Sequence, residues 1–466
     1  MSTTARLTKR VSDGRSRHEG LVLALACVGS FCVIMDATIV SVTLPALRAD
    51  LGFSPAALPW AVNAYTLTFA GFLLLGGRCV DVFGRRAIML LGLGLFTVAR
   101  VAVGCTGSPV LLLAARAVQG VGGALLMPVT LAMLTATFTA PSARARALAT
   151  WSAVGAAGAA AGPVLGGMLT ELAGWRWVFF VLAPLGLVGV VGAVRVLPRQ
   201  PKAADRPRLD VVGAVLVTAG ISGVVAAIMR SAAVGWSAGS VLGPLLAGFV
   251  LLALFALHQH AVAADPLLPL DIFRVRSVRS ANVVMFLLGA GFLASPVLLS
   301  LYLQDVHGYS PLLAGVGYLP VGVAMVAGAR SAGGFTVRFG ARRATMLCCA
   351  IGATGLAGIS LSLAVDASYF WSVLVSGAVF GFGTAAAFTP LTVAATDGVP
   401  SQRSGLAAGV LNTVRQTSGA VGLAALSAIA LAAGYAAAFS ACTGCLVVAC
   451  LVAAVSMPGR RVRAAR

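Results

Sequence analysis

Charge is what this chain has least of. Only 10% of its 466 residues are charged, 13 are acidic, and lysine occurs only at Lys9 and Lys202. A soluble domain carries about 25% charged residues, so a water-soluble body is excluded. Disorder is excluded as well, because the chain is 59% hydrophobic. No G-x-x-x-x-G-K-[ST] occurs, which rules out ATP hydrolysis at a P-loop of its own. What is abundant is apolar sequence with 55 glycines, small residues that let helices approach closely in lipid. The composition is that of an all-α integral membrane protein.

A net charge of +20 would suggest nucleic acid in a soluble chain. Here the basic residues lie between apolar runs, and no nucleic-acid partner is expected. Their bias towards arginine, with abundant alanine, points to a GC-rich bacterial genome. Of nine cysteines, Cys27, Cys32, Cys105, Cys348, Cys349 and Cys450 sit inside apolar runs. Cys442 and Cys445 form a C-x-x-C within one such run, so all are read as small membrane hydrophobes.

A bilayer core takes about 20 apolar residues per helix. Runs of that kind fall near 21–43, 58–77, 88–106, 110–134, 147–170, 177–197, 211–230, 239–260, 281–303, 312–334, 344–364, 369–393, 405–432 and 436–457, about fourteen spans. With the N-terminus inside, 26 basic residues fall on the cytoplasmic side. Four fall outside (Arg48, Arg100, Arg176, Arg230) and three within spans (Arg116, Arg330, Arg415). That asymmetry places both termini in the cytoplasm. The basic, polar first twenty residues lack a small-residue cleavage site, so the first span reads as a retained anchor.

The chain repeats itself weakly. GRCVDVFGRR (Gly77–Arg86) follows the second span, and GGFTVRFGAR (Gly333–Arg342) follows the tenth, 256 residues later. Two parallel six-span repeats, with two extra spans between them, account for the spacing. The expected organisation is a cytoplasmic tail (1–20), a six-helix bundle (21–197), a loop (198–210), two extra transmembrane helices (211–260), a loop (261–280), a second six-helix bundle (281–457) and a basic tail (458–466).

At this point a resemblance becomes specific. MDATIVSVTLP (35–45) resembles the D-x-T-I-V-N-V-A-L-P of the fourteen-span drug:proton antiporters of the major facilitator superfamily. Gly77–Arg86 is similar to that superfamily's G-x-L-a-D-r-x-G-r-r loop, and RAVQG (116–120) to its R-x-x-Q-G. GAAAGPVLGG (158–167) resembles the antiporter signature G-x-x-x-G-P-x-x-G-G. GWRWVF (174–179), YLQ (302–304) with YSP (309–311), and NTVRQ (412–416) extend the likeness over nearly the whole chain. Ser41, Thr43, Cys79 and Val82 depart from the pattern, and Val337 stands where the second loop's Asp belongs. The resemblance implies a major facilitator fold whose spans 1, 4, 9 and 12 line a central cavity, with spans 7 and 8 outside. It also implies that Gly158, Gly162, Pro163, Gly166 and Gly167 form a hinge limiting proton leak. Gly77, Arg78, Asp81, Gly84, Arg85 and Arg86 would form a cytoplasmic gate, and Asn412, Arg415 and Gln416 a second-half motif.

The residues support a site without the name. Asp36 in span one and Arg116 in span four both lie roughly 10 Å inside the outer ends of their helices, with Asn63 and Tyr65 at a similar depth. Intramembrane charges are costly and face a cavity or a partner. Asp36 is therefore either a protonatable coupling residue or half of a structural ion pair with Arg116. Asn63, Tyr65 and Gln119 are candidate cavity residues. Gly158, Gly162 and Gly166 recur every four residues and make one groove, and Pro163 permits a bend. Asp81 can pair with Arg85 or Arg86.

Other matches fail. GWSAG (235–239) reads as a hydrolase elbow but sits in a short outer loop, and GFGTAA (381–386) lies in an apolar span without a βαβ unit. His258 and His260 point apart on a helix, so no metal site is expected. A membrane enzyme would need clustered catalytic groups that the spans lack.

The expectation is a cofactor-free, proton-driven antiporter of small amphipathic drugs or antibiotics. It would act as a monomer in the bacterial plasma membrane, with a metabolite or nutrient symporter as the alternative. With Asp36 the deepest carboxylate and Asp305 and Asp366 near outer ends, neutral or monocationic substrates are expected. Asp36→Asn is expected to spare folding while abolishing coupling.

Overall fold

Apolar runs in lipid satisfy their backbone groups internally only as helices or closed barrels. In the computed structural model every regular element among the described residues is helical. Those residues are 3–199, 208–365, 367–400 and 403–458, with side chains described from residue 18 onward except at position 141. The last residues of the basic tail, most of the loop at 198–210, and Asp366 lie outside them.

The helices are α1 (Thr3–Ile39), α2 (Leu44–Leu51), α3 (Trp60–Phe83), α4 (Arg85–Cys105), α5 (Pro109–Thr137), α6 (Pro141–Ala173), α7 (Trp175–Phe180) and α8 (Ala183–Val196). After them come α9 (Val211–Val234), α10 (Gly239–Leu257), α11 (Arg276–Asp305), α12 (Pro311–Gly317), α13 (Leu319–Ala364), α14 (Ser376–Thr396) and α15 (Ser404–Ser456). Prolines at the first turns of α5, α6 and α12 start helices where an amide would lack a partner anyway. The first helix reaches back to Thr3, so part of the expected polar tail is helical.

Among the described residues, twelve helical segments are long and apolar enough to cross a membrane. Two of them, Pro311–Ala364 with 54 residues and Ser404–Ser456 with 53, are more than twice the length of one crossing. Each contains one residue with non-helical backbone, Gly340 (φ 77°, ψ 160°) and Gly434 (φ 85°, ψ 168°). Divided there, the twelve segments accommodate the fourteen expected crossings. Gly84, which separates α3 from α4, has nearly the conformation of Gly340 (φ 82°, ψ 157°). These two glycines are the ones aligned by the repeat. Gly174 between α6 and α7 (φ 89°, ψ 158°) likewise resembles Gly434. A positive φ of this kind strains any residue with a Cβ, so glycine is required at these breaks.

Three apolar clusters show where the helices meet. One belongs to the first six spans (Phe69, Leu93, Phe96, Leu126, Met133) and one to the last six (Leu288, Cys349, Leu391, Leu411). The third joins them at the end of the molecule opposite the termini, bringing Met35, Leu44 and Leu47 against Leu298, Leu303, Ala314 and Val321. That end is also tied by polar contacts: Arg48 bonds Asp305 through both carboxylate oxygens (2.9 and 3.2 Å), and the Gln304 amide donates to the Val42 carbonyl (3.1 Å).

The two extra spans are not equivalent. α9 packs against both α3 and α15, with Leu67, Val225, Met229, Ala420 and Ala424 in one cluster. Span seven is therefore wedged between the halves rather than outside them. Its entry is fixed by Asp210, which caps the helix by accepting from the Gly213 amide (2.7 Å) and also bonds His258 (2.8 Å) and Gln259. Burial pushes the Asp210 carboxyl up, but these hydrogen bonds outweigh it and hold it below the usual carboxylate range. α10, by contrast, packs chiefly on α9 and turns Leu246, Phe249, Val250, Leu254 and Leu257 outward.

Candidate functional site

Asp36 is fully buried on α1, and its carboxylate is shared by two arginines. Arg116 of α5 donates to one oxygen at 2.6 Å, and Arg100 of α4 bonds the other. The expected Asp36–Arg116 pair is present, but it is half of a cluster. Neither arginine is exposed, and their remaining donors are placed as closely. Arg116 also bonds the Ala61 carbonyl (3.0 Å) and the Gln119 side-chain oxygen (2.9 Å), and it stacks over Tyr65 at 4.6 Å. Arg100 donates to the Val178 and Phe179 carbonyls, at 2.6 and 3.1 Å. Those carbonyls belong to the last turn of α7, where no intrahelical amide remains to receive them. The short helix thus ends where it does with an arginine from span three completing it.

Arg100 is the residue that sequence reasoning missed. Counting it as an outer-loop charge placed it in water, whereas α4 continues to Cys105 and buries it completely. The signal was available: its neighbours Val98, Ala99, Val101, Ala102 and Val103 are apolar, and the expected span 88–106 already enclosed it.

The candidate cavity residues occupy the wall of this cluster. Asn63, Tyr65 and Gln119 are buried: Asn63 reaches Met229 of α9 (3.8 Å), Tyr65 donates to the Val33 carbonyl (3.4 Å), and Gln119 holds Arg116. Depth along a helix identifies the level of a residue but not its face, and in this conformation none of the three meets open space. The Asn63 side-chain oxygen and the Gln119 side-chain nitrogen have no partner among the described residues.

The span-five motif has two working faces. A Cβ on Gly158 would meet the Phe31 ring at 3.1 Å, and one on Gly162 would meet the Ile39 amide at 3.1 Å and collide with the Thr38 hydroxyl. One on Gly166 would strike the Ile39 carbonyl. The groove therefore holds span one, just beyond Asp36. Gly167 lies instead against Pro311 and Leu312 of the second half, and Gly315 of α12 lies against the Pro163 carbonyl. Glu171 extends the same junction by accepting from the Leu312 amide (3.1 Å).

At the terminus end the expected gate loop is mostly helix, since Gly77 to Phe83 close α3, Gly84 alone breaks the chain and Arg85 begins α4. Arg78 donates to the Pro266 carbonyl (2.8 Å) and is the charge acting on exposed Asp81. Arg85 and Arg86 line a recess of about 290 Å³ with His18, Glu19 and Met133 instead. In the second half, Asn412, Arg415 and Gln416 are half-buried on α15, and Arg415 donates to Asn412 Oδ1 at 2.6 Å. No group of three or more metal-ligating side chains exists among the described residues.

Comparison with known proteins agrees with this architecture. The family model of the Major Facilitator Superfamily matches residues 26–423. A cephamycin export protein of Amycolatopsis lactamdurans is 40% identical, over 87% of this chain and 83% of the relative. A puromycin resistance protein of Streptomyces alboniger is 35% identical (90% and 82%), and a tetracenomycin C resistance and export protein of Streptomyces glaucescens 33% (89% and 76%). Among solved structures, a POT family transporter superposes with a TM-score of 0.72 at 13% identity, covering 95% of this chain and 96% of that one. A D-xylose–proton symporter reaches 0.69 at 15% identity, covering 94% and 98%. At such identities these two share the fold alone. A multi-pass transporter, not an enzyme, is what sequence, helices and relatives describe in common: the chain belongs to the major facilitator superfamily.

Proposed function

We propose that the chain is a proton-coupled exporter of small amphipathic molecules, antibiotics among them, in a bacterial plasma membrane with both termini cytoplasmic. The curated relatives named above export or confer resistance to antibiotics. The observation that carries the coupling step is the position of Asp36, two and three residues before the Thr38 and Ile39 that fill the span-five groove.

While both arginines hold the carboxylate, it is charged and span one is fixed in that groove. A proton reaches Asp36 only when one arginine lets go. Release frees span one, and through Pro163 and Gly167 it loosens the junction with α12. The halves can then part at the Arg48–Asp305 end, which is closed here. Exchange of a proton for substrate at this hinge is alternating access by rocking of the halves.

The test is transport in inverted vesicles with an imposed ΔpH. Accumulation of an amphipathic dye that collapses with the gradient supports export. Gradient-driven movement of dye in the opposite direction would establish the symporter alternative.

A further inference from the structure

The deep charges of this protein are not all answered by partners. Asp36 is consumed by two guanidiniums and is unexposed, so a cationic substrate meets no available carboxylate there. Arg415 lies about 16 Å from the start of α15 and about 28 Å from its break at Gly434, close to the middle of its span. Among the described residues it has no carboxylate partner, and its buried Nε–H has no hydrogen-bond partner. Its single side-chain bond goes to Asn412, four donors short of what a guanidinium offers. The group rests over Phe388 of α14 at 5.2 Å, and Phe388 meets Phe292 of α11 edge to face at 4.9 Å. Arg330, within the first crossing of α13, is exposed and also has no acidic partner among the described residues. Among the described residues, every deep charge left open is positive.

An isolated guanidinium in a membrane interior is costly and calls for an anion. The described residues supply none, and lipid headgroups of an unperturbed bilayer lie about 15 Å away from the midplane. We propose that the anion is the substrate: Arg415 binds the carboxylate of an amphipathic monoanion, whose apolar body lies along Phe388 and Phe292. This deepens the exporter reading and rests on it for the identity of the ligand as cargo. A guanidinium edge that offers Nε–H with a neighbouring Nη–H matches a carboxylate through two parallel hydrogen bonds. It also replaces the expectation of neutral or monocationic cargo, which considered only where acids lie.

The experiment is equilibrium dialysis of the purified full-length protein in detergent against naphthylacetate, its methyl ester and naphthylethylammonium. The wild type is expected to bind the acid about tenfold or more tightly than the ester, with the amine weakest. R415Q should remove that preference while leaving ester binding in place. R415K should keep part of it. N412D offers a second route without deleting the arginine, because an acid three residues away on the same helix neutralises it and should equally abolish the preference. Equal binding of acid and ester by the wild type would overturn the proposal. So would an acid preference that survives in R415Q and N412D, or the loss of all three ligands together in both. Binding is read without a gradient, so the exporter reading fails separately: a protein that binds the acid but never moves it under ΔpH would sink export while leaving Arg415 as an anion site.

Discussion

The two halves share a fold and handle buried charge in opposite ways. In the first, one carboxylate and two arginines close on one another, and their hydrogen bonds tie together α1, α3, α4, α5 and α7. In the second, an arginine near the middle of its span has one amide neighbour and a buried N–H with no partner among the described residues. The first arrangement suits a latch, whose state depends on an internal proton. The second suits a receptor, completed only from outside. Repeated architecture thus does not imply repeated chemistry, and Val337 in place of the second loop's acid departs from the repeat in the same direction.

The largest effect should come from breaking the latch. Asp36→Asn leaves two buried guanidiniums facing each other, a loss of about 3–5 kcal/mol by the cost of removing one partner from a buried pair. This revises the expectation that folding would be spared: the unfolding midpoint in detergent should fall together with transport. Arg415→Gln removes a hydrogen bond and a ring contact, worth about 1 kcal/mol, and should hardly move the midpoint. Equal destabilisation by the two substitutions would erase the contrast between the halves.

The groove sharpens the comparison next. Gly162→Val must displace Thr38 and Ile39, at about 1–3 kcal/mol of overpacking, and should slow exchange between conformations. Gly322→Ala, on the second-half helix facing Ala160 with room at 3.4 Å, should transport normally. A smaller change is expected from Arg48→Ala, which opens an exposed pair worth about 0.2–1 kcal/mol. In the Arg48→Ala background, cysteine cross-linking between positions 42 and 304, which meet at the same end, should report a lower population of the closed end. If cross-linking is unchanged, the pair does not contribute to closure.

The smallest effect concerns pH. The Asp210 carboxyl is depressed on folding, so its stabilising contribution is full above the ordinary carboxylate value of about 4 and is lost as pH falls through the lower folded value. Hydrogen exchange in the first turn of α9 should rise only in that acid range. A rise already present near neutrality would mean that Asp210 does not hold the helix.

Much of this was legible in the sequence because lipid enforces simple rules. Apolar length gave the crossings, arginine asymmetry the expected topology, and the Gly84–Gly340 correspondence appeared first as a 256-residue repeat. The level of Asp36 and Arg116 followed from the rise of a helix. What was hidden required knowledge of faces and neighbours. Nothing in the local pattern says that Asn63 turns to Met229 rather than to a cavity, that Arg100 completes α7, or that α9 touches both halves. Arg415 was visible as a motif residue, but its lack of an acid partner became apparent only when α11 and α14 were set beside it.

The unequal placement of α9 and α10 bears on speed. α9 meets α3 closely, where Gly71 leaves space for Thr218, and meets α15 across the small side chains of Ala420 and Ala424. In the proposed rocking of the halves, α9 would slide along one of these two contacts. α10, packed chiefly on α9 and exposing its apolar side chains, would then sweep through the bilayer with it. Viscous drag on a helix that binds nothing then enters the turnover rate, and the protein should run slower in ordered, tightly packed lipid than its own hinges alone would dictate.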